Sequence, residues 1–404
     1  MTDQIKPLNG IRVLDLSHVL AGPYMTLFLA QNGAEVIKIE NPEGGELSRR
    51  LLVKTADGRS VDHVAAYLNR GKKGLGLNLR SEQGKAIFRE LVKSSDIVVE
   101  NFTPNTMRRL GFGYDELRAI NPRIIYTSLS GFGHDDIYPS PMMDRPAFNL
   151  IAQAMGGIMD ITGEENGPPI PTGVALGDLV AGVFALSGTL LALQHRERTG
   201  VGQHVDISMY DCLTSFSQRA VLRTFLTGDV PTRGRDSREN PLGTFKVKDG
   251  HVVMTLMGDA MWARFCELVK RLDLLDHPDF HPDSARGARY DSFIRPLLED
   301  WARDKTRAEV VDLFAAADLP AASVQDAADI LACPQLLGRR MIEEVDDPVR
   351  GRMVYTGNPI KLSNVEEEPA SPAPAVGQDT DALLSGLLNI SADEMASLRA
   401  ARAI

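Results

Sequence analysis

The sequence has little cysteine and no recognisable leader. Only three cysteines occur in 404 residues, at Cys212, Cys266 and Cys333, and no two of them form a CxxC pair. This spacing argues against both a disulfide framework and a cysteine zinc site, and it is typical of proteins from a reducing compartment. The first residues, MTDQIKPLNG, contain no basic region followed by an apolar run, so we expect no signal peptide and a cytoplasmic location.

The common cofactor and hydrolase motifs are also missing. No GxGxxG follows the first predicted strand, and the chain lacks GxxxxGK[ST], HExxH and GxSxG. Its eight histidines are scattered, which predicts no metal cluster. The formal net charge of −10 predicts repulsion from nucleic acids and anionic membranes. A ligand of another kind is therefore expected, and a small anion would need a local group of basic residues.

One long apolar run is present, from Val174 to Leu193 (VALGDLVAGVFALSGTLLAL). A run of this length is long enough to cross a bilayer. It contains Asp178, whose ionised carboxylate would be costly in a membrane. Its glycine, alanine and serine content suits close packing, so we predict a buried core helix.

Short β-rich runs alternate with helical patterns over the first 130 residues. The predicted strands are Ile11–Leu16, Ala34–Ile39, Gly74–Leu79, Ile97–Glu100 and Ile124–Leu129, and the intervening helices include Tyr24–Gln31, Glu82–Lys93 and Asn105–Leu110. This alternation predicts an α/β fold with a doubly wound, mostly parallel, Rossmann-like sheet. Ligands of such sheets bind at the carboxyl ends of the strands, which directs attention to the loops at 17–24, 40–50, 101–109 and 130–148.

The composition of the sequence changes near residue 229, where a polar stretch rich in arginine and proline begins. Residues 1–228 are predicted to form most of a large domain, and 229–318 a smaller α+β domain that contains a hairpin at Thr244–Met257. A polar linker is predicted at 229–241. Residues 319–404 are predicted to return to the large domain and to end in a polar helix at 379–402.

Asp178 is the one ionisable residue between Thr172 and His195. It is either a plain helix N-cap or a nucleophile or base in a partly desolvated site, and the neighbouring Gly173 and Gly177 favour the second role because they permit close approach. His18 is either a packed loop residue or a ligand contact. Basic residues near the predicted strand ends either bind phosphates or are solvated; they are Arg49, Arg50, Arg70, Lys72, Lys73, Arg108 and Arg109.

Several segments together resemble the class III CoA-transferases, the family of formyl-CoA transferase and L-carnitine CoA-transferase, which also contains α-methylacyl-CoA racemase. The segments are LNGIRVLDLSHVLAGP (8–23), GAEVIKIE (33–40), NRGKKG (69–74), DIVVENFTPNTMRRLG (96–111), AFNLIAQAMGG (147–157), GVALGDLVAG (173–182), TGVGQHVDISMYD (199–211) and NPIKLS (358–363). Each is weak alone, but their order and spacing are specific.

The resemblance implies an acyl-CoA:carboxylate CoA-transferase that works through a covalent aspartyl anhydride and an aspartyl-CoA thioester on Asp178. It implies a CoA thioester as substrate, no tightly bound cofactor, no metal, and an interlocked homodimer. It places CoA contacts on His18, Val19, Arg49, Lys73, Asn101, Phe102 and Arg109, and the substrate pocket on Leu20, Phe148, Gln153 and Gly258.

Three of these positions depart from the formyl-CoA transferase pattern. Leu20 stands where those enzymes have Gln, Phe148 where they have Tyr, and Gly258 is a single glycine where they have several. These departures predict that neither oxalate nor formate is the substrate. Two other functions stay open. An α-methylacyl-CoA racemase needs an acid and a base on opposite sides of the substrate carbon, and the segment 144–149 (DRPAFN) lacks the racemases' histidine. A non-catalytic CoA-binding protein of the same fold would not need Asp178.

Overall fold

The structure is a computed structural model that describes residues 5–164, 166–231, 233 and 241–404. The chain forms two compact units. The first comprises Met1–Thr162, Pro168–Val230 and Leu337–Ile404, and the second Gly163–Gly167 and Pro231–Leu336. The sequence predicts a small domain at 229–318 and a return to the large domain from 319, whereas the second unit continues to Leu336. Most of the predicted linker, at 232 and 234–240, lies outside the described residues.

The strands and helices alternate as the sequence predicts through the first unit. The strands are β1 Arg12–Asp15, β2 Glu35–Glu40, β3 Val53–Lys54, β4 Ser60–Val61, β5 Lys73–Gly76, β6 Ile97–Glu100, β7 Ile125–Ser130, β8 His204–Ser208, β9 Leu242–Val247, β10 Gly250–Thr255, β11 Ala321–Ser323, β12 Ile342–Asp347 and β13 Gly351–Thr356. The helices are α1 Ala21–Gln31, α2 His63–Asn69, α3 Glu82–Lys93, α4 Thr106–Leu110, α5 Tyr114–Ile120, α6 Asn149–Met155, α7 Ile158–Ile161, α8 Leu176–Thr199, α9 Met209–Phe216, α10 Gln218–Thr227, α11 Gly258–Leu268, α12 Ser284–Ala288, α13 Arg295–Ala302, α14 Arg307–Ala316, α15 Ala327–Ala332, α16 Pro334–Gly338, α17 Thr380–Leu388 and α18 Ala392–Ala400.

A six-stranded sheet forms the centre of the first unit, and the predicted α/β fold is confirmed. Its order is β5-β2-β1-β6-β7-β8, and each neighbouring pair is parallel. Side chains alternate between the two faces of a strand. Val13 therefore joins a core cluster with α1 and α8, while Leu14 joins one on the opposite face with α3 and α17. Both faces are buried, which explains the continuous apolar runs of the strands.

Helix α8 is the apolar run identified in the sequence. In the described residues it is the one helix long and apolar enough to cross a membrane, but its small residues pack against α1 and the sheet. At Gly182 a Cβ would lie 2.8 Å from the carbonyl oxygen of Ala21 and 3.2 Å from the Tyr24 ring. A larger residue there would separate the two helices, so glycine permits the close crossing.

The second unit has its own apolar core, in which β9 and β10 form the predicted hairpin and β11 pairs with β10. Two sequence predictions of element bounds are wrong. The predicted strand Gly74–Leu79 is shifted, since β5 spans Lys73–Gly76. The predicted single helix at 379–402 is two helices, because Asn389 adopts a left-handed conformation (φ 54°) that ends α17. Leu383 and Leu384 are buried in the sheet core rather than exposed on a polar helix.

Candidate active site

Asp178 lies in the first turn of α8, but it does not cap the helix. The N-cap residue is Ala175, and no side-chain cap is made there. Within the described part of the chain, the Asp178 carboxylate has no hydrogen bond or ion pair. The plain N-cap interpretation is therefore wrong, since a capping carboxylate would accept a backbone N–H of the first turn.

The start of α8 is held instead by two residues of α6. The Asn149 Oδ1 atom accepts the backbone N–H of Gly177 at 2.8 Å. Gln153 is fully buried; its Nε2 donates to Asn149 Oδ1 at 2.9 Å, and its Oε1 accepts the N–H of Thr172 at 2.9 Å. Gln153, predicted in the substrate pocket, thus orders the loop before α8. Asn149 was not singled out in the sequence; its spacing of four residues from Gln153 in AFNLIAQ was the available signal. Together they leave the Asp178 carboxylate free.

The surroundings of Asp178 favour a neutral carboxyl group. Burial raises its pKa to about 6, because a low-dielectric environment disfavours the charged form. The pKa of Tyr67 is also raised, to about 12, mainly because the residue is buried and to a smaller extent because of the charges of Tyr24 and Asp178. Among the residues described, no cation is paired with Asp178 to offset this cost. At neutral pH the group is therefore mostly ionised, poorly solvated and unpaired, which is the condition of a reactive carboxylate.

This arrangement predicts how stability depends on pH. The folded-state pKa of Asp178 lies above its ordinary value of 3.8, so the folded state binds the proton more tightly and loses stability as pH rises through this interval. Asp178→Asn removes the charge and is expected to raise the melting temperature at about pH 8, with the gain disappearing below about pH 4. Scanning calorimetry of both proteins across this range checks the prediction, and a pH-independent difference would contradict it.

A turn between β1 and α1 brings four of the predicted CoA contacts together. The Oδ1 of Asn101 accepts the N–H of His18 at 2.7 Å, and its Nδ2 donates to the His18 carbonyl at 2.8 Å. The rings of His18 and Phe102 have centroids 4.8 Å apart. Val19 has a φ of 62°, a strained conformation for a β-branched residue, and its N–H donates to Glu46 Oε2 at 3.0 Å. Leu20 follows as the N-cap of α1.

The His18 ring offers an unused polar atom in this turn. Burial lowers its pKa to about 4, so the ring is neutral at physiological pH. Its Nδ1 lies 4.0 Å from Glu46 Oε2, but a neutral imidazole forms no ion pair. Among the described residues this buried nitrogen has no hydrogen-bond partner. A buried polar atom without a partner is costly, which makes it available to a ligand.

A buried charge cluster supports the same turn. Asp15, at the end of β1, lies 2.9 Å from the Lys72 ammonium and 3.4 Å from that of Lys38, and all three side chains are fully buried. Lys38 also donates to the carbonyl of Ser17, the residue before His18. The two ammonium groups hold the pKa of Asp15 well below its usual range even though burial opposes this.

The predicted phosphate contacts fall in different surroundings. Arg49 forms two hydrogen bonds of 2.6 Å with Glu40, so its charge is balanced within the protein. Lys73 begins β5 and its Nζ bonds Glu35 at 2.6 Å, at the amino end of β2 and away from the carboxyl ends of the strands. Arg109 is exposed and bonds Thr106 at 2.9 Å. Of the three, Arg109 alone has no carboxylate partner in the described residues.

The remaining predicted pocket residues, Phe148 and Gly258, belong to different units. Phe148 is 76% exposed and precedes α6. Gly258 begins α11 in the second unit, with a φ of 70°.

The chain is similar to known CoA-transferases in sequence and to solved structures in fold. The sequence model described as CoA-transferase family III matches residues 8–380. Among curated proteins, the chain is 39% identical over 93% of its length to succinyl-CoA:mesaconate CoA-transferase of Haloarcula marismortui, of which 95% is covered. It is 37% identical over 91% of its length to acetyl-CoA:oxalate CoA-transferase of Acetobacter aceti, of which 92% is covered. Among solved structures, a CAIB/BAIF family protein from Brucella suis is 31% identical, with a TM-score of 0.83 over 95% of this chain and 99% of that one.

Proposed function

The chain belongs to CoA-transferase family III and is a CoA-transferase, and we propose that Asp178 is the residue that carries the transferred groups. The observation that carries this proposal is the unpaired, half-buried carboxylate in the first turn of α8. A nucleophile that forms a covalent intermediate divides one difficult exchange into easier steps, and the raised pKa of Asp178 indicates a carboxylate that gains from being acylated.

In the proposed reaction, the donor acid leaves and the acceptor acid enters through successive acyl exchanges at Asp178. An oxygen of the Asp178 carboxylate attacks the thioester carbonyl of the acyl-CoA; the C–S bond breaks, CoA leaves as thiolate and an aspartyl anhydride remains. The thiolate attacks the aspartyl carbonyl of the anhydride, which releases the donor acid and leaves an aspartyl-CoA thioester. The acceptor carboxylate then attacks this thioester, the C–S bond breaks, and a second aspartyl anhydride forms as the thiolate leaves. The thiolate attacks the acceptor carbonyl of that anhydride, which yields the acceptor CoA thioester and frees the Asp178 carboxylate. Every step exchanges an acyl group between oxygen and sulfur, so no oxidant or net proton is required.

We propose that CoA lies along the turn of His18, Val19, Asn101 and Phe102. The unpartnered Nδ1 of His18 and the neighbouring Phe102 ring suit the nucleoside end of the molecule, which offers both hydrogen-bonding groups and an aromatic face. Arg109 follows on α4 and is free to meet a phosphate.

Arg109→Ala is expected to raise KM about equally for every acyl-CoA, by roughly 10-fold, because a single charge-assisted contact contributes roughly 1.5 kcal/mol or more. The value of kcat should change little, since phosphates are remote from the reacting carbonyl. Steady-state kinetics with several acyl-CoA donors checks this. Arg118→Ala, an exposed arginine on α5, is the control. A loss that depends on the acyl group would instead place Arg109 in the acyl pocket.

For the substrates, we propose succinyl-CoA as donor and a dicarboxylate of the mesaconate kind as acceptor. The support is the 39% identity to the Haloarcula enzyme, together with Leu20 and Phe148, which replace polar residues of the formyl-CoA transferases. The test is succinyl-CoA offered with mesaconate or with oxalate, and product CoA esters identified by mass spectrometry. We expect mesaconyl-CoA to dominate. Oxalyl-CoA formed at a higher kcat/KM would reject the substrate proposal and leave the role of Asp178 intact.

We also propose that the chain is a homodimer in the cytoplasm. Helix α10 has no buried residue in the single chain, yet it exposes four large apolar side chains: Val221, Leu222, Phe225 and Leu226. An apolar surface of this kind normally marks an interface.

Light scattering is expected to give twice the chain mass even at high dilution, because the family resemblance implies interlocked subunits that separate only on unfolding. Phe225→Asp should lower the melting temperature, whereas Arg223→Ala, at an exposed position of the same helix, should not. A folded monomer at low concentration would reject the interlocked dimer.

A further inference from the structure

A second cluster of polar side chains lies on the sheet, outside the residues assigned to CoA transfer. In the parallel pairing of β7 and β8, Ser128 stands opposite Asp206 and Tyr126 opposite His204. Residues two apart on a strand share a face, so His204 and Asp206 project on the same side of the sheet. His134, from the loop after β7, joins them. One potential ligand atom of each of His134, His204 and Asp206 lies within 4.8 Å of the others.

The four side chains converge on a small volume. His134 Nδ1 lies 2.9 Å from Asp206 Oδ1. The Ser128 hydroxyl is 2.7 Å from His204 Nε2, 3.3 Å from His134 Nδ1 and 3.4 Å from Asp206 Oδ1. Zinc sites have ligand bonds of about 2.0–2.2 Å to nitrogen and oxygen, which place neighbouring ligand atoms roughly 3 Å apart.

His204 faces the cluster through Nε2, whereas its Nδ1 faces Asp136 and has no hydrogen-bond partner in the part of the chain that the structure describes. Its side chain is 4% exposed. A cavity of about 20 Å³ adjoins the cluster and is lined by Glu100, Tyr126, His134, Asp136 and His204 among others, enough room for a water or a small ion.

We propose that His134, His204 and Asp206 bind one first-row transition-metal dication of the zinc type, with Ser128 Oγ as a neighbouring oxygen. Two imidazoles and one carboxylate suit such ions, whereas Mg²⁺ and Ca²⁺ prefer oxygen ligands alone. The ion would tie the loop at 131–136 to the sheet. This site does not depend on the role proposed for Asp178.

The surrounding carboxylates fit the same assignment. A metal-binding histidine usually donates its other N–H to a carboxylate. If His204 binds through Nε2, its Nδ1–H is directed toward Asp136, whose Oδ2 lies 3.7 Å away. Glu100 is buried beside the cluster and accepts the Tyr126 hydroxyl at 3.0 Å.

Zn²⁺ titration of the chelator-treated full chain tests the proposal by calorimetry, with Co²⁺ absorbance as a second probe of nitrogen ligation. We expect one Zn²⁺ per chain. His204→Ala should weaken binding by more than about 100-fold, and Asp136→Asn by roughly 10- to 100-fold. His195→Ala, an exposed histidine of α8, should bind as the wild type does. Circular dichroism identifies any variant that fails to fold.

Two results would overturn the site. One is wild-type protein that binds no Zn²⁺, or binds it no more tightly than a His134→Ala/His204→Ala variant. The other is equal binding by the His204→Ala and His195→Ala variants. If His204→Ala does not fold, Asp136→Asn and the wild-type titration decide the question by themselves, because a purely structural hydrogen-bond network gives no stoichiometric binding in either.

Discussion

Asp178→Asn is expected to abolish CoA transfer, with kcat reduced by on the order of 10⁴-fold or more, as for the loss of a covalent nucleophile in other enzymes. A neutral amide does not attack the thioester to form the anhydride. Asn fills the same volume, and the start of α8 is capped by Asn149 rather than by Asp178, so the helix should remain intact. Asp178→Ala should be equally inactive.

The binding step separates this expectation from a loss of structure. CoA affinity, measured by calorimetry, should change by less than about threefold in Asp178→Asn, since that carboxylate makes no contact that holds the His18 turn. Asp393→Asn is the matched control, an exposed aspartate in the first turn of α18. Activity retained in Asp178→Asn would reject the nucleophile.

Asp15→Asn is expected to destabilise the first unit by roughly 3–5 kcal/mol, the usual cost of removing one partner of a buried ion pair. The substitution keeps the shape of the side chain but leaves the Lys38 and Lys72 ammonium groups buried without their shared counter-charge. The melting transition should fall by several degrees, and CoA binding should weaken in the protein that remains folded, because Lys38 holds the carbonyl of Ser17.

Two variants make this test specific. Asp57→Asn removes one side of an exposed ion pair with Arg59 and should leave the melting temperature nearly unchanged, because solvent screens such pairs. Asp15→Asn combined with Lys38→Met should recover part of the loss, because one unpaired charge is removed with it. Equal melting temperatures for the Asp15 and Asp57 variants would contradict the role given to the cluster.

The alternation of strands and helices predicts most of the first unit, because a sheet buried on both faces needs apolar strands and the helices need apolar faces. The position of Asp178 near the start of α8 was also predictable from its isolation in an apolar run. Its reactivity was not. Whether it caps the helix depends on Asn149, 28 residues from Gly177 in the sequence, and only the fold shows that contact.

The sequence also could not show which basic residues are free to bind CoA, because ion pairs depend on contacts in space. A basic residue near a strand end is free or neutralised according to its neighbours in space, and the sequence shows Arg49 and Arg109 as equivalent. The structure gives Arg49 a buried partner in Glu40 and leaves Arg109 exposed. The same limit applies to the histidines. Their spacing in the sequence predicts no cluster, but the pairing of β7 with β8 brings His204 next to Ser128, 76 residues away in the sequence.

If Asp178 is the nucleophile, a covalent bond to its carboxylate forms during turnover and can be trapped. The enzyme is incubated with succinyl-CoA without acceptor, treated with borohydride or hydroxylamine, digested, and the peptide containing Asp178 is measured by mass spectrometry. We predict reduction of the aspartyl thioester to an alcohol by borohydride, or a hydroxamate with hydroxylamine, at Asp178 and in no peptide of Asp178→Asn. An enzyme that turns over normally but never carries a modification on this residue would show that Asp178 is not the nucleophile.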